Sequence, residues 1–126
     1  MGNKILFLTT TGRKSSLPRM TPLQYEVVNG DIYLGSARGI QADWVRNILA
    51  NPNVEVELKG EKFQAQAEVT LESERIIQFL EIRLERHPLM IKMMLLIHGV
   101  PPWAGRNRLV KLANDLALVV IHRSKQ

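Results

Sequence analysis

The residues best suited to chemistry stand in one stretch, Thr9-Thr10-Thr11-Gly12-Arg13-Lys14-Ser15-Ser16-Leu17-Pro18-Arg19. The cations Arg13, Lys14 and Arg19 lie close together there, with the hydroxyls of Thr11, Ser15 and Ser16 and the permissive backbone of Gly12 around them. Successive turn N–H groups can form an anion-binding concavity, and neighbouring Arg and Lys add fixed positive charge and strong donors. The stretch therefore reads as a site for something negatively charged. The bland reading is a solvated hairpin end, since exposed charged turns are common.

Other chemistry is absent. Gly12-Arg13-Lys14-Ser15 has residue types of the P-loop without its first glycine or its spacing, and it joins two strands rather than a strand and a helix. No Gly-x-Gly-x-x-Gly occurs, and no Ser/His/Asp set or paired carboxylates stand on a motif. His87, His98 and His122 lack metal-ligand spacing and read as surface or capping residues. No residue is assigned a catalytic role, and no metal is expected.

The elements that must position this turn follow from patterning. Lys4 to Thr11 is β-branched and apolar, a strand, and Arg19 to Val28 is a second, with Pro22 pointing to a sheet edge or a bulge. Asn29-Gly30-Asp31 signals a tight hairpin into Ile32-Tyr33-Leu34. Gly35 to Gly39 is a small-residue loop. From Gln41 to Asn51 the period turns helical, with Trp44, Val45, Ile48 and Leu49 as the apolar stripe and Arg46 and Asn47 off it, until Pro52 stops the helix. Val54, Val56 and Leu58, then Phe63, Ala65, Ala67 and Val69, alternate with polar residues as a half-buried hairpin turning at Lys59-Gly60. Ser73 reads as the cap of a helix carrying Ile76, Ile77, Phe79, Leu80 and Leu84 and ending by Pro88. Leu89 to Ile97 is apolar nearly all round, most simply a buried helix, with a subunit interface or a membrane-leaning lip as alternatives, and is stopped by Gly99 and Pro101-Pro102. Leu116 to Ile121 suits a buried last strand. About six hairpin-connected strands with helices packed outside make a mainly β (α+β) antiparallel barrel.

Composition bounds the rest. The 126 residues suit one domain, 1–126, with a real core, and an apolar fraction of 45% argues against disorder. The lack of cysteine removes disulfides and thiolate metal sites and points to a reducing cytoplasm. The first apolar run is too short for a signal peptide, and no run is long enough to span a bilayer. The net charge of +5 gathers in the first turn and in a second cluster, Arg106, Arg108 and Lys111. With aromatics at only 6%, stacking on single-stranded nucleic acid is poorly supported, so no nucleic-acid partner is expected.

Two blocks carry a family resemblance. Leu8-Thr9-Thr10-Thr11-Gly12-Arg13-Lys14-Ser15 with Pro18-Arg19 and Thr21-Pro22-Leu23 resembles the opening signature of the deazaflavin-dependent nitroreductase family of F420H2-dependent oxidoreductases. Asp43-Trp44-Val45-Arg46-Asn47 through Ala50-Asn51-Pro52 and the Val54–Val56 strand is similar to its second. The resemblance implies a six-stranded split β-barrel and coenzyme F420, an 8-hydroxy-5-deazaflavin with a phosphate and a polyglutamate tail. It implies that Arg13, Lys14, Ser15 and Arg19 hold the anionic part and that Thr21, Pro22, Tyr25, Ser36 and Ala37 lie along the ring. Trp44 and Asn47 would stand near the cofactor. The implied reaction is hydride transfer to an electron-poor small molecule such as a quinone, an enone or a nitro compound. Related split barrels often pair, and the apolar helix near Met90 needs covering, so a homodimer is expected, with peripheral membrane contact as the lesser alternative. FMN, whose phosphate would suit the same turn, is the alternative cofactor, and a non-catalytic binder of F420 or another anion the alternative role. The family's usual second glycine after the Lys-Ser pair is Ser16 here.

Overall fold

The computed structural model describes residues 5–97, 99 and 113–123. Lys4, His98, Pro101-Pro102 and the second basic cluster, Arg106, Arg108 and Lys111, lie outside the described residues.

The strands are β1 (Ile5–Thr11), β2 (Pro18–Gln24), β3 (Glu26–Val28), β4 (Asp31–Ser36), β5 (Asn53–Leu58), β6 (Glu61–Thr70) and β7 (Ala117–Arg123). All pair antiparallel in one sheet of order β2-β1-β5-β6-β7-β4-β3. The two end strands of that order, β2 and β3, are consecutive in the chain with only Tyr25 between them. The sheet therefore curls back on itself as a barrel. The single strand expected over Arg19–Val28 breaks at Tyr25, which is why seven strands stand where six were expected. Its first half pairs with β1 and its second with β4, so Tyr25 is the corner, buried in the core. Pro22 sits on β2, which pairs only with β1, so its missing N–H costs no ladder bond on the open side.

The hairpins at Asn29-Gly30 and Lys59-Gly60 turn where expected, with φ of 53° and 86° in the first and 53° and 81° in the second. Positive φ at both central residues matches the twist of the flanking strands.

The chain buries two apolar layers. Inside the barrel, Leu6, Leu8, Leu34, Val54, Val56 and Ile121 meet Val45 and Ile48 of helix α1 (Asp43–Ala50). Outside it, Leu118 and Val120 of β7 meet Ile76, Ile77, Phe79 and Leu80 of helix α2 (Ser73–Arg86) and Ile91 of helix α3 (Pro88–Ile97). β7 is thus buried on both faces, the physical reason for its unbroken apolar run.

Three local expectations are corrected. Ser73 is the first helical residue rather than the cap, which is Glu72, and its hydroxyl donates instead to Asn114 Oδ1 at 3.4 Å. On α1, Leu49 is exposed and Asn47 is buried. Helix α3 is largely uncovered: Leu89, Met93, Leu96 and Ile97 are 80%, 64%, 54% and 81% exposed, and Ile91 alone of the described α3 side chains is fully buried.

Candidate functional site

The turn between β1 and β2 is closed by its own backbone. Gly12 N–H donates to Leu17 O and Ser16 N–H to Gly12 O, each at 2.8 Å. Gly12 is buried in the fold of this loop, where an added Cβ would lie 2.6 Å from Ser15 Oγ and 3.1 Å from Leu17 O. Ser15 Oγ accepts from Leu17 N–H at 3.2 Å and from Arg19 Nη2 at 3.5 Å, so the hydroxyl braces the turn from within. Ser16 takes a φ of 61°, a left-handed conformation that L side chains disfavour.

Helix α1 holds the turn from outside. Asn47 is 4% exposed, and its Oδ1 accepts from the backbone N–H of Arg13 at 3.2 Å and from Arg13 Nη1 at 2.8 Å. Its amide nitrogen donates to Thr10 Oγ1 on β1 at 3.1 Å. Arg13 also reaches Asp43 at the start of α1, with Nη2 3.1 Å from Oδ1. The hydrogen bond and charge of Arg13 hold the Asp43 carboxyl below its ordinary range. Lys14 and Arg19 are exposed, and Lys14 makes no hydrogen bond or ion pair among the described residues.

These groups line a cleft of about 440 Å³. Arg13, Lys14, Ser15 and Arg19 form its basic end, and Thr21, Trp44 and Asn47 continue it. Trp44 does both things the sequence allowed: it is half-buried against the barrel core and borders the cleft. Arg46 is exposed and folds back to Ile40 O and Gln41 Oε1 at 2.9 and 2.6 Å.

Strand register extends this surface. Thr10, Leu8 and Leu6 face Arg19, Thr21 and Leu23 across the β1–β2 ladder, so those three β2 residues share the inward face. Arg19 and Thr21 border the basic cleft, and Leu23 borders a second cavity of about 190 Å³ with Ser36 and Ala37. Ser36 is buried and its hydroxyl donates to Gly39 O at 2.9 Å. Of the residues implied by resemblance, Pro22 lies on the outward face of β2 and Tyr25 in the core, and neither lines these two cavities.

The sequence reading missed residues beside both cavities. Asp43 stood in the second signature but was not singled out. Behind the smaller cavity, Glu26 is 5% exposed and takes Arg83 Nη1 at 2.6 Å, Arg86 Nη1 at 3.0 Å and His87 Nε2 at 2.9 Å. Burial raises the Glu26 pKa, but the bonds from Arg86, Arg83 and His87 and the charge of Arg83 outweigh it and hold the carboxyl below its ordinary value. Arg83 and Arg86 are a helical turn apart on α2, which hints at a shared face, but nothing in the sequence pairs them with a residue on β3. His122 lies between Asp31 and Glu68 at 3.4 and 3.2 Å on the surface.

The model of the F420H(2)-dependent quinone reductase family matches residues 1–88. Among solved structures, a conserved hypothetical protein from Mycobacterium tuberculosis is 18% identical, with a TM-score of 0.68 over 98% of this chain and 75% of that one. The heme storage protein HutZ from Vibrio cholerae is also 18% identical, with a TM-score of 0.67 over 98% and 84% of the two chains. An F420-H2 dependent reductase is 21% identical, with a TM-score of 0.63 over 94% of each chain. At these identities the structures show a shared fold.

Proposed function

The chain belongs to the F420H(2)-dependent quinone reductase family, a family of oxidoreductases, and we propose that its basic cleft holds the phosphate and acidic tail of F420. One observation carries the reading: a turn braced by Ser15 and Asn47 presents Arg13, Lys14 and Arg19 to a single cleft that β2 links to an apolar one. The donor set fits the group. A hydroxyl and clustered cations are what a phosphate-bearing ligand needs, and Gly12 keeps the turn tight enough to offer Ser15, Arg13, Lys14 and Arg19 together. From Arg19 to Leu23 the inward face of β2 runs roughly 13 Å at about 3.3 Å per residue, a span that suits a ligand with an anionic end and a flat ring. The FMN alternative finds no support in the family match.

When bound, reduced F420 supplies the hydride. This chain's residues bind and orient. Arg13 and Lys14 neutralise the anionic end, Thr21 and Trp44 flank the way toward the ring, and Ser36 and Ala37 border the ring end, with Pro22 on the outer face of β2 and Tyr25 at the core corner that ends it. The electron acceptor is a quinone or a similar electron-poor small molecule. We assign the chain to the cytoplasm, where the lack of cysteine is natural, as a single domain that pairs through the uncovered apolar face of α3. None of the described helices is long and apolar enough to cross a membrane.

The test is a fluorescence titration with F420, using wild type and the Arg13→Ala/Lys14→Ala double variant. Wild type should bind, and the variant should lose binding by at least an order of magnitude. Equal affinity in both proteins sinks this assignment of the cleft.

A further inference from the structure

We propose that the smaller cavity is a slot for a flat ring whose edge carries a carbonyl or phenolate oxygen, and that the Arg83 guanidinium takes that oxygen. The inference rests on the F420-dependent reading above and gives the far end of that site its own recognition chemistry.

Size comes first. The cavity is about 190 Å³, against the ~150 Å³ known to admit benzene, so it takes the end ring of a fused system, with the remaining rings outside. Its walls are apolar, from Leu23 on β2, Phe79 and Leu80 on α2, Ile91 on α3 and Leu116. Gly35 on β4 is part of the shape: an added Cβ there would lie 2.8 Å from Phe79 Cε2, so only a bare backbone lets that ring pack so close. A slot with such walls selects a flat, apolar body.

Charge comes second. Arg83 is the one charged residue among the described residues that line the slot, and its side chain is 11% exposed. It is held in place from behind by Glu26 at 2.6 Å and from the side by Gln24 Oε1 at 2.7 Å. Glu26 is itself pinned by Arg86 and His87, so the pair cannot swing as a unit. A guanidinium carries five N–H donors; those not used on Glu26 and Gln24 have no partner among the described residues. A charge-assisted bond from those donors is stronger than a neutral one, and a ring oxygen is the acceptor that also suits the apolar walls.

Two ring edges offer that oxygen: the far edge of the cofactor ring and the edge of the acceptor. The experiment separates them. Wild type, Arg83→Lys and Ala37→Leu are titrated with F420 by fluorescence, and the cofactor-free proteins are titrated with menadione by calorimetry. Lysine keeps the charge facing Glu26 but loses the forked donor. Ala37 is exposed at the slot, so the leucine obstructs it without disturbing the Glu26 cluster, which keeps the test valid if Arg83→Lys fails to fold. We expect a tenfold or greater loss of affinity in each folded variant. A loss for F420 assigns the slot to the cofactor ring, and a loss for menadione alone assigns it to the acceptor. Both affinities within twofold of wild type overturn the slot and leave the basic cleft standing if Arg13→Ala/Lys14→Ala abolishes F420 binding. A wild-type protein that binds neither compound overturns both.

Discussion

Asn47 and Arg13 are 34 residues apart, yet one side-chain oxygen of Asn47 accepts from both the backbone N–H and the guanidinium of Arg13. Helix α1 therefore sets the conformation of the basic turn. Replacing Asn47 by alanine strands the Arg13 N–H and Thr10 Oγ1 together. We expect a loss of about 1–3 kcal/mol, the usual cost of a buried unpaired polar group. Chemical denaturation should show that loss, and F420 titration a weaker complex. Unchanged stability with unchanged affinity would show that the turn holds its shape unaided.

Ser16 offers the opposite case. Its φ of 61° is one that glycine adopts freely. Relief of left-handed strain, ~1–2 kcal/mol per residue, is partly offset by the extra freedom glycine has when unfolded, ~0.4–1 kcal/mol. Ser16→Gly should thus stabilise the protein by about 0.5–1 kcal/mol, read as a higher denaturation midpoint. A lower midpoint would mean that the hydroxyl has a role the turn's hydrogen bonds do not reveal.

Glu26 makes stability depend on acid. Its folded pKa is lowered, so its contribution is fully present above the ordinary value of 4.5 and is lost as pH falls through the folded pKa. Glu26→Gln leaves Arg83 and Arg86 without their carboxylate, at a cost of roughly 3–5 kcal/mol near neutral pH. The gap between variant and wild type should narrow as pH falls below 4.5, where the unfolded chain takes up the proton first, and close once pH passes the lowered folded pKa. Denaturation at several pH values measures it, and a pH-independent gap would argue that packing, not charge, holds this cluster.

Helix α3 bears on assembly. Leu89, Met93 and Ile97 are each more than half exposed, an apolar face that a monomer seldom leaves open. Light scattering should give twice the chain mass, and Met93→Glu/Ile97→Glu should give the monomer with F420 affinity retained. A wild-type monomer at high concentration would rule out pairing through α3.

The sequence by itself determined the strands, the hairpins and the basic turn, because period-2 alternation, Asn-Gly and Lys-Gly pairs and a cluster of cations are local signals. It also carried the family, through blocks near Arg13 and Trp44. It could not show that the strand over Arg19–Val28 turns a corner at Tyr25, since that corner exists only because β2 and β3 pair with different partners. Asn47 falls off the apolar stripe because helical periodicity sorts by hydrophobicity, whereas its burial is stabilised by Thr10 on β1 and Arg13 in the turn after it. The meeting of Glu26 with Arg83 spans 57 residues and leaves no local trace. Only the tertiary structure decided that Arg13 is tied to Asn47 and Asp43 while Lys14 is exposed, and that one face of β2 borders both the basic cleft and the smaller cavity.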